Sequence, residues 1–154
     1  MREQNIYLSR PFTGCIINTI LDYYNQVSNE LKNLGHNPII PFTNDFRIFK
    51  NRNGVIQVNE GIDPVSHNTN KGIVRRDYFL LSQSDMIISN FSLTKTPSIG
   101  VVTELAWAYQ LKKHTIVIKK KNAFNSPFID QCADIIVNDM EECFDYLNIM
   151  TLKV

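Results

Sequence analysis

Short apolar runs alternate with longer amphipathic stretches along the chain, and this alternation predicts the fold. Between Gly14 and Leu34 apolar side chains recur at helical spacing, and Gly35 follows as a helix terminator. Runs such as Asp85–Asn90 have the length and composition of buried strands. The predicted strands are Asn5–Ser9, Pro38–Pro41, Asp85–Asn90, His114–Ile118 and Asp134–Val137. The predicted helices are Gly14–Leu34, Asn70–Gln83, Ile99–Lys112, Asn125–Ala133 and Met140–Met150.

Strands and helices take turns along the sequence, which is the order that a parallel sheet requires. Parallel neighbours must be joined by crossover connections, and helices of this length supply them. We therefore expect residues 1–154 to form one α/β domain, a doubly wound sandwich with about five parallel strands. Ligands of such sheets bind beyond the carboxyl ends of the strands. The segments of interest are Ser9–Gly14, Asn90–Glu104 and Lys119–Ser126.

The segment Thr43–Thr69 does not fit this alternation. A loop of that length without secondary structure is uncommon in a compact domain unless it has a function. We expect an irregular lid over the ligand site, in which Gly54–Val58 alternates enough to form a small hairpin strand. A disordered surface excursion is the alternative.

Composition and charge exclude several classes of protein. Apolar residues make up 44% of the chain, which excludes disorder of the whole protein. The chain has 16 Lys and Arg against 15 Asp and Glu, whereas a nucleic-acid-binding protein normally shows a basic excess. No apolar run is long enough to span a membrane, and the apolar stretch near the N-terminus is too short for a secretory signal. We expect neither a nucleic-acid partner nor a membrane association.

The three cysteines are far apart and odd in number, which favours reduced thiols in a cytoplasmic protein over a disulfide framework. Neither they nor the histidines have the spacing of metal ligands. The sequence also lacks a GxGxxG fingerprint, a P-loop and a GxSxG nucleophile motif. It therefore predicts no metal and no cofactor.

Glu104 is the strongest candidate for chemistry. It lies one turn inside a predicted helix that starts after Pro97–Gly100, and its neighbours on both sides are almost all apolar. A carboxylate in such surroundings is either paired or used, because burying an unpaired charge costs free energy. The alternative is a glutamate in the first helical turn that complements the helix dipole.

Two further segments at the expected ligand edge carry polar groups. Ser98 and Gly100 open the helix that bears Glu104, where free backbone N–H groups can hold a phosphate or a sugar hydroxyl. Ser98 could equally be a simple N-cap. The segment Ser9–Gly14 places hydroxyls, a guanidinium and a glycine beside the crevice. Asp77 follows two arginines, and taken alone it has the pattern of a solvated charged helix face.

Together these residues resemble the nucleoside 2-deoxyribosyltransferase family, from Ile6 to about Val137. Each motif is only moderately specific, but their order and spacing are difficult to produce by chance. The resemblance implies a flavodoxin-like fold and chemistry at an N-glycosidic bond. It rests on Ile6–Thr13, Leu34–His36, Asp77, Ser84–Asp85 and above all Pro97–Ala108.

The resemblance also implies roles for three residues. The family's glutamate at the position of Glu104 is a nucleophile that attacks C1′ of the sugar, expels the base and forms a glycosyl-enzyme ester. A carboxylate suits this step because the transition state carries positive charge on the sugar ring. Tyr7 corresponds to a tyrosine that orients the carboxylate by a hydrogen bond. Asp77 corresponds to an aspartate that handles the departing base.

Departures from the family pattern favour one of its branches. Free-nucleoside transferases usually carry an aspartate at the position of Ser98, and an asparagine from a neighbouring subunit at the position aligned with Ser126. Serines at both positions resemble the 2′-deoxynucleoside 5′-monophosphate N-hydrolases, where they bind the phosphate, and a hydroxyl removes the repulsion between carboxylate and phosphate. Thr13, however, stands where those hydrolases carry an arginine, and Asn125 leaves the alignment of Ser126 ambiguous.

The resulting prediction is a homodimer or higher homo-oligomer that hydrolyses nucleoside 5′-monophosphates, with the Ser126 region completing the neighbour's site. Base exchange between free deoxynucleosides is the nearest alternative. A non-catalytic nucleotide sensor and a flavodoxin-like interaction module are alternatives of other classes. The predicted catalytic residues are Glu104, Tyr7 and Asp77. The predicted substrate- or phosphate-binding residues are Ser9, Arg10, Thr13, Gly14, Ser98, Gly100, Asn125 and Ser126.

Overall fold

The computed structural model describes residues 2–41 and 70–152. Within these ranges the chain alternates strictly between strand and helix, as the hydrophobic pattern predicts. The predicted lid at 43–69, with its small hairpin strand, lies outside the described residues. The strands are β1 (Asn5–Ser9), β2 (Asn37–Ile39), β3 (Met86–Asn90), β4 (His114–Ile118) and β5 (Ile135–Val137). The helices are α1 (Ile17–Asn33), α2 (Asn70–Ser82), α3 (Ile99–Gln110), α4 (Pro127–Cys132) and α5 (Met140–Leu152).

The strands form one parallel sheet in the order β2-β1-β3-β4-β5. This order is that of the flavodoxin-like fold, so the predicted fold class is confirmed. Parallel register brings the carboxyl ends of the central strands to one edge, with Ser9 beside Ser89 and Asn90 beside Ile118. The connections leave β1 and β3 in opposite directions, and the crevice of such a sheet opens there. The fold therefore places its ligand site beyond Ser9 and Asn90.

The core lies on both faces of the sheet, because successive residues of a strand point to opposite sides. Ile6 and Leu8 of β1 pack with α1 and α5, whereas Tyr7 packs with residues of α2 and α3. The core position of Tyr7 is unusual in that its hydroxyl must still find a hydrogen-bond partner. Tyr7 therefore carries a polar group from the core of the sheet toward the helices that cover it.

Several predicted boundaries differ from the structure for local reasons. The first helix begins at Ile17, since Gly14 has a φ of +80° and belongs to a turn closed by a hydrogen bond from Cys15 N to Phe12 O. The fourth helix begins at Pro127, a residue type favoured in the first helical position, with Ser126 as its N-cap. Asn125 and Ser126 consequently precede this helix.

No helix among the residues of the two described ranges is long and apolar enough to cross a membrane.

Candidate active site

Glu104 lies on the face of α3 that is directed toward the sheet. The buried residues of this helix, Val101, Glu104, Leu105 and Ala108, follow the spacing of one helical face. Only 8% of Glu104 is exposed, and the first turn of α3 contains no acidic residue. The interpretation of Glu104 as a solvated glutamate that complements the helix dipole is therefore wrong.

Two hydroxyl groups from β1 hold the Glu104 carboxylate. Tyr7 Oη donates a hydrogen bond to Glu104 Oε1 over 2.8 Å, and Ser9 Oγ donates to Oε2. The two donors are two residues apart, so they lie on the same side of the strand. Both carboxylate oxygens are thereby engaged, and the plane of the group is fixed at the edge of the sheet.

Burial raises the pKa of Glu104 from its ordinary value of 4.5 to about 7. The hydrogen bonds from Ser9 and Tyr7 oppose this rise, and the nearby charge of Asp77 adds to it. Burial, together with the charge of Glu104, also raises the pKa of Tyr7 well above 10, so its hydroxyl stays a donor. Burial thus brings the pKa of Glu104 close to neutral pH.

Asp77 projects from α2 into the same region and is 7% exposed. Nε and Nη2 of Arg76 both donate to its Oδ1, over 3.1 and 3.0 Å. Burial raises the pKa of the Asp77 carboxyl, and the Arg76 guanidinium opposes the shift. The interpretation of Asp77 as part of a solvated charged face is wrong, because α2 packs against α3 at this position, where Tyr78 meets Trp107 edge to face at 5.2 Å.

Asp77 and Glu104 line one cavity of about 340 Å³ beside the carboxyl end of β1. Its lining combines apolar side chains, a suitable contact for a flat ring, with hydroxyl and charged groups. A larger and shallower depression of about 730 Å³ lies around Lys112 and His114, next to the amino end of β4 and away from both carboxylates. The residues lining the smaller cavity include Phe12, Ile73, Val74 and Trp107 as apolar members and Arg10, Thr13, Ser98 and Thr103 as polar members.

Arg10 contributes a positive charge to this cavity. The residue is 4% exposed, and no carboxylate within the described ranges contacts its guanidinium. The group stacks over the ring of Tyr23 at 4.7 Å, and its Nε donates to Pro11 O over 3.1 Å. Since a guanidinium remains charged in proteins, its burial beside a cavity favours an anionic ligand.

The structure brings most of the predicted site residues together. Thr13, Ser98 and Gly100 line the cavity with Arg10, Asp77 and Glu104, while Tyr7 and Ser9 reach it through Glu104. Gly14, Asn125 and Ser126 are not among the described residues that line it. The Ser126 hydroxyl instead accepts a hydrogen bond from Ile129 N at 3.5 Å, at the start of α4.

The structure adds several residues that the sequence-based site omitted, among them Trp107, Thr103 and Arg76. Trp107 lines the cavity one helical turn after Glu104, a spacing that could have indicated it. Thr103 precedes Glu104 directly and also lines the cavity. Arg76 carried no usable signal, because charged neighbours in a helix are normally exposed. Among the residues described, no three His, Cys, Asp or Glu side chains cluster in a way that could hold a metal ion.

Comparison with known proteins gives the fold. No protein-family model and no curated protein matches the sequence. A conserved protein from Enterococcus faecalis superposes with a TM-score of 0.66 at 14% identity, over 96% of this chain and 99% of the other. A 2-deoxyribosyltransferase from Bacillus psychrosaccharolyticus gives 0.61 at 17% identity, over 96% and 95%. A CMP N-glycosidase from Clostridium botulinum gives 0.58 at 14% identity, over 95% and 99%.

Proposed function

We propose that this protein cleaves the N-glycosidic bond of nucleoside or deoxynucleoside 5′-monophosphates through a covalent glycosyl-Glu104 intermediate. The observation that carries the proposal is the buried Glu104 carboxylate, held by two hydroxyls at the wall of a cavity large enough for a small molecule. The resemblance to the nucleoside 2-deoxyribosyltransferases, and the fold shared with a 2-deoxyribosyltransferase and a CMP N-glycosidase, support the same chemistry.

The reaction balances in two steps. A carboxylate oxygen of Glu104 forms a bond to C1′ while the bond from C1′ to the base nitrogen breaks, and the departing base takes the electron pair and a proton from Asp77. Water then attacks C1′ and gives a proton back to Asp77, the ester bond breaks, and Glu104 is released as a carboxylate with free sugar phosphate. The anion stabilises the positive charge that develops on the sugar, Tyr7 keeps the carboxylate oriented, and Asp77 assists the departing base.

Two groups in the cavity support a phosphorylated substrate. Ser98 is the N-cap of α3 and lines the cavity, yet its hydroxyl makes no capping hydrogen bond to the helix. Arg10 supplies a buried positive charge without a carboxylate partner in the described chain. An anionic group bound near these two residues would compensate the guanidinium and meet the backbone N–H groups at the start of the helix.

The activity is tested by incubating the protein with a panel of nucleosides and their 5′-monophosphates and measuring free base by chromatography. We expect base release from monophosphates without any added acceptor base. Base exchange confined to unphosphorylated deoxynucleosides would replace the hydrolase proposal by a transferase. Tight binding of a nucleotide in calorimetry without base release over hours would instead indicate a nucleotide sensor. If nucleotides are neither bound nor cleaved, the result would favour a flavodoxin-like interaction module.

Ser98→Asp is expected to lower kcat/KM for monophosphates by about tenfold to a hundredfold, because it places a carboxylate near the bound phosphate. Ser98→Ala removes the hydroxyl without adding a charge and serves as the matched control, with a smaller loss. Hydrolysis of an unphosphorylated nucleoside, where detectable, should be unaffected by the aspartate. Equal losses on both substrates would show that Ser98 does not face the phosphate.

We also propose a homodimer or higher homo-oligomer in which the Ser126 region of one subunit lies next to the cavity of another. Ile99, at the cavity, is 85% exposed, and Phe128, two residues after Ser126, is 77% exposed. Large apolar side chains so exposed at the edge of a site are typical of covered surfaces.

Phe128→Asp is therefore expected to produce monomers in sedimentation velocity and to reduce turnover several-fold. Ile149→Asp is the matched control, since Ile149 is also apolar and exposed (57%) but lies on α5. A wild-type protein that sediments as a monomer at micromolar concentration would contradict the proposed assembly.

We also propose that the protein is cytoplasmic. All three cysteines, Cys15, Cys132 and Cys143, are free thiols. A reducing compartment preserves such unpaired thiols. Burial also raises the pKa of Cys143 to about 12, so that this thiol is unreactive at neutral pH.

A further inference from the structure

The cavity contains two buried carboxylates that need a counter-charge. Asp77 and Glu104 are 7% and 8% exposed and line the same space. Each ionised carboxylate disfavours ionisation of the other, and burial adds to the cost. Two such groups stay ionised near neutral pH only if hydrogen bonds or a cation compensate them.

The two carboxylates are compensated in different ways, Glu104 by neutral hydroxyls and Asp77 by a charged guanidinium. Glu104 receives the hydroxyls of Tyr7 and Ser9, whereas Asp77 receives Nε and Nη2 of Arg76. Both donors of Arg76 meet the same oxygen, Oδ1 of Asp77. Within the described ranges no donor reaches Oδ2, the second carboxylate oxygen of Asp77, a residue that lines the cavity.

Arg76 contacts the Asp77 carboxylate but is not among the described residues that line the cavity. Its side chain is 24% exposed. The other guanidinium at the cavity, that of Arg10, stacks on Tyr23 and contacts neither carboxylate. Arg76 is therefore the one cation of the described chain in direct contact with the acidic pair.

We propose that Arg76 is a positioning residue, which serves as the counter-ion of the Asp77–Glu104 pair and turns Oδ2 of Asp77 toward the departing base. This inference rests on the proposed function. The titratable and charged groups that face the pair are Tyr7 from β1, Tyr24 from α1, Arg76 from α2 and Arg10 at the cavity wall. The Arg76 guanidinium lowers the pKa of both carboxyls and so opposes the effect of burial.

The variant Arg76→Gln is expected to shift the acidic limb of the kcat–pH profile upward by about one unit, because the pair then ionises at higher pH. Turnover at pH 7 should fall about fivefold, and the deficit should shrink as the pH rises toward 9. Arg76→Lys retains the charge but cannot place two donors on Oδ1 in the way that a guanidinium does. We therefore expect its pH profile to be close to that of wild type, while its maximal rate stays lower.

Arg75→Gln is the matched control, since Arg75 is the exposed neighbour on the same helix and its loss changes the net charge equally. A purely long-range effect of charge would shift the profile in both variants. A purely structural role of Arg76 would lower activity equally at every pH. Either result would overturn the inference.

Titration of the Asp77 and Glu104 side-chain carboxyl carbons by ¹³C NMR gives a readout that needs no turnover. We expect higher midpoints in Arg76→Gln, and unchanged midpoints in Arg75→Gln. Unchanged midpoints in folded Arg76→Gln would refute the counter-ion role even if the enzyme is active. Wild-type protein that releases no base from any substrate would refute the proposed function, while the titration would still decide the role of Arg76.

Discussion

Glu104→Gln is expected to reduce base release by at least about 10³-fold while the protein stays folded. The amide cannot supply the anion that stabilises positive charge at C1′, nor can it form the ester. The fold should persist because glutamine has nearly the same shape as glutamate. Its Oε1 can accept from Tyr7, and its Nε2 can donate to the oxygen of Ser9, so both hydroxyls keep partners.

The decisive measurement is rapid quenching of wild-type and variant protein with substrate, followed by intact-mass analysis. Wild-type protein should carry a transient adduct with the mass of the sugar phosphate, located on the peptide that contains Glu104. The variant should carry none, and its circular dichroism should match that of wild type. Glu30→Gln, a change at an exposed glutamate of α1, is the control. Undiminished turnover in Glu104→Gln would end the proposed mechanism.

The same variant is expected to be more stable than wild type at pH 8, by up to about 3 kcal/mol. The pKa of Glu104 is about 7 in the folded protein and 4.5 ordinarily. Between these values the folded protein holds a proton that the unfolded chain has released. The stability that protonated Glu104 contributes is therefore complete below about pH 4.5 and is lost as the pH rises through about 7. Glutamine does not titrate, so the free energy of unfolding of the variant has no such pH-dependent loss at this position.

Thermal melts between pH 5 and pH 8 test this linkage. The difference in Tm between Glu104→Gln and wild type should grow by several degrees over this range, since about 1 kcal/mol shifts the Tm of a chain of this size by about 2–4 °C. Glu30→Gln, a change at an exposed glutamate of α1, is again the control. A constant difference across the range would show that Glu104 has the same proton affinity in the folded and unfolded chains. Burial therefore disfavours ionised Glu104 in the folded protein, although the proposed attack on C1′ requires this form.

The fold was predictable because its signals are local. Alternating strand and helix patterns require a parallel sheet with helical crossovers, and each predicted strand and helix of the described ranges is present. The boundaries depended on single residues whose backbone geometry the pattern ignored. Gly14, with its positive φ, keeps the turn out of the first helix, and Pro127 fixes the start of the fourth.

The site was predictable only in part, because its contacts join residues far apart in the chain. A carboxylate among apolar residues identified Glu104, but its bond to Ser9 spans 95 positions and leaves no local pattern. Asp77 beside two arginines had the pattern of a surface residue, and only the packing of α2 on α3 buries it. Burial of a charged residue depends on what covers it, which periodicity along one helix does not reveal.

The hydrogen bonds from Tyr7 and Ser9 to Glu104 also determine when the site can form during synthesis. Tyr7 and Ser9 leave the ribosome early, whereas Glu104 follows only after β3 has been made. A nascent chain that ends before α3 contains the hydroxyl donors but not Glu104. One that ends just after α3 still lacks β4, which pairs with β3 under this helix. The proposed reactivity toward a sugar should therefore arise only late in synthesis, and we expect incomplete chains released by stalled ribosomes to lack it.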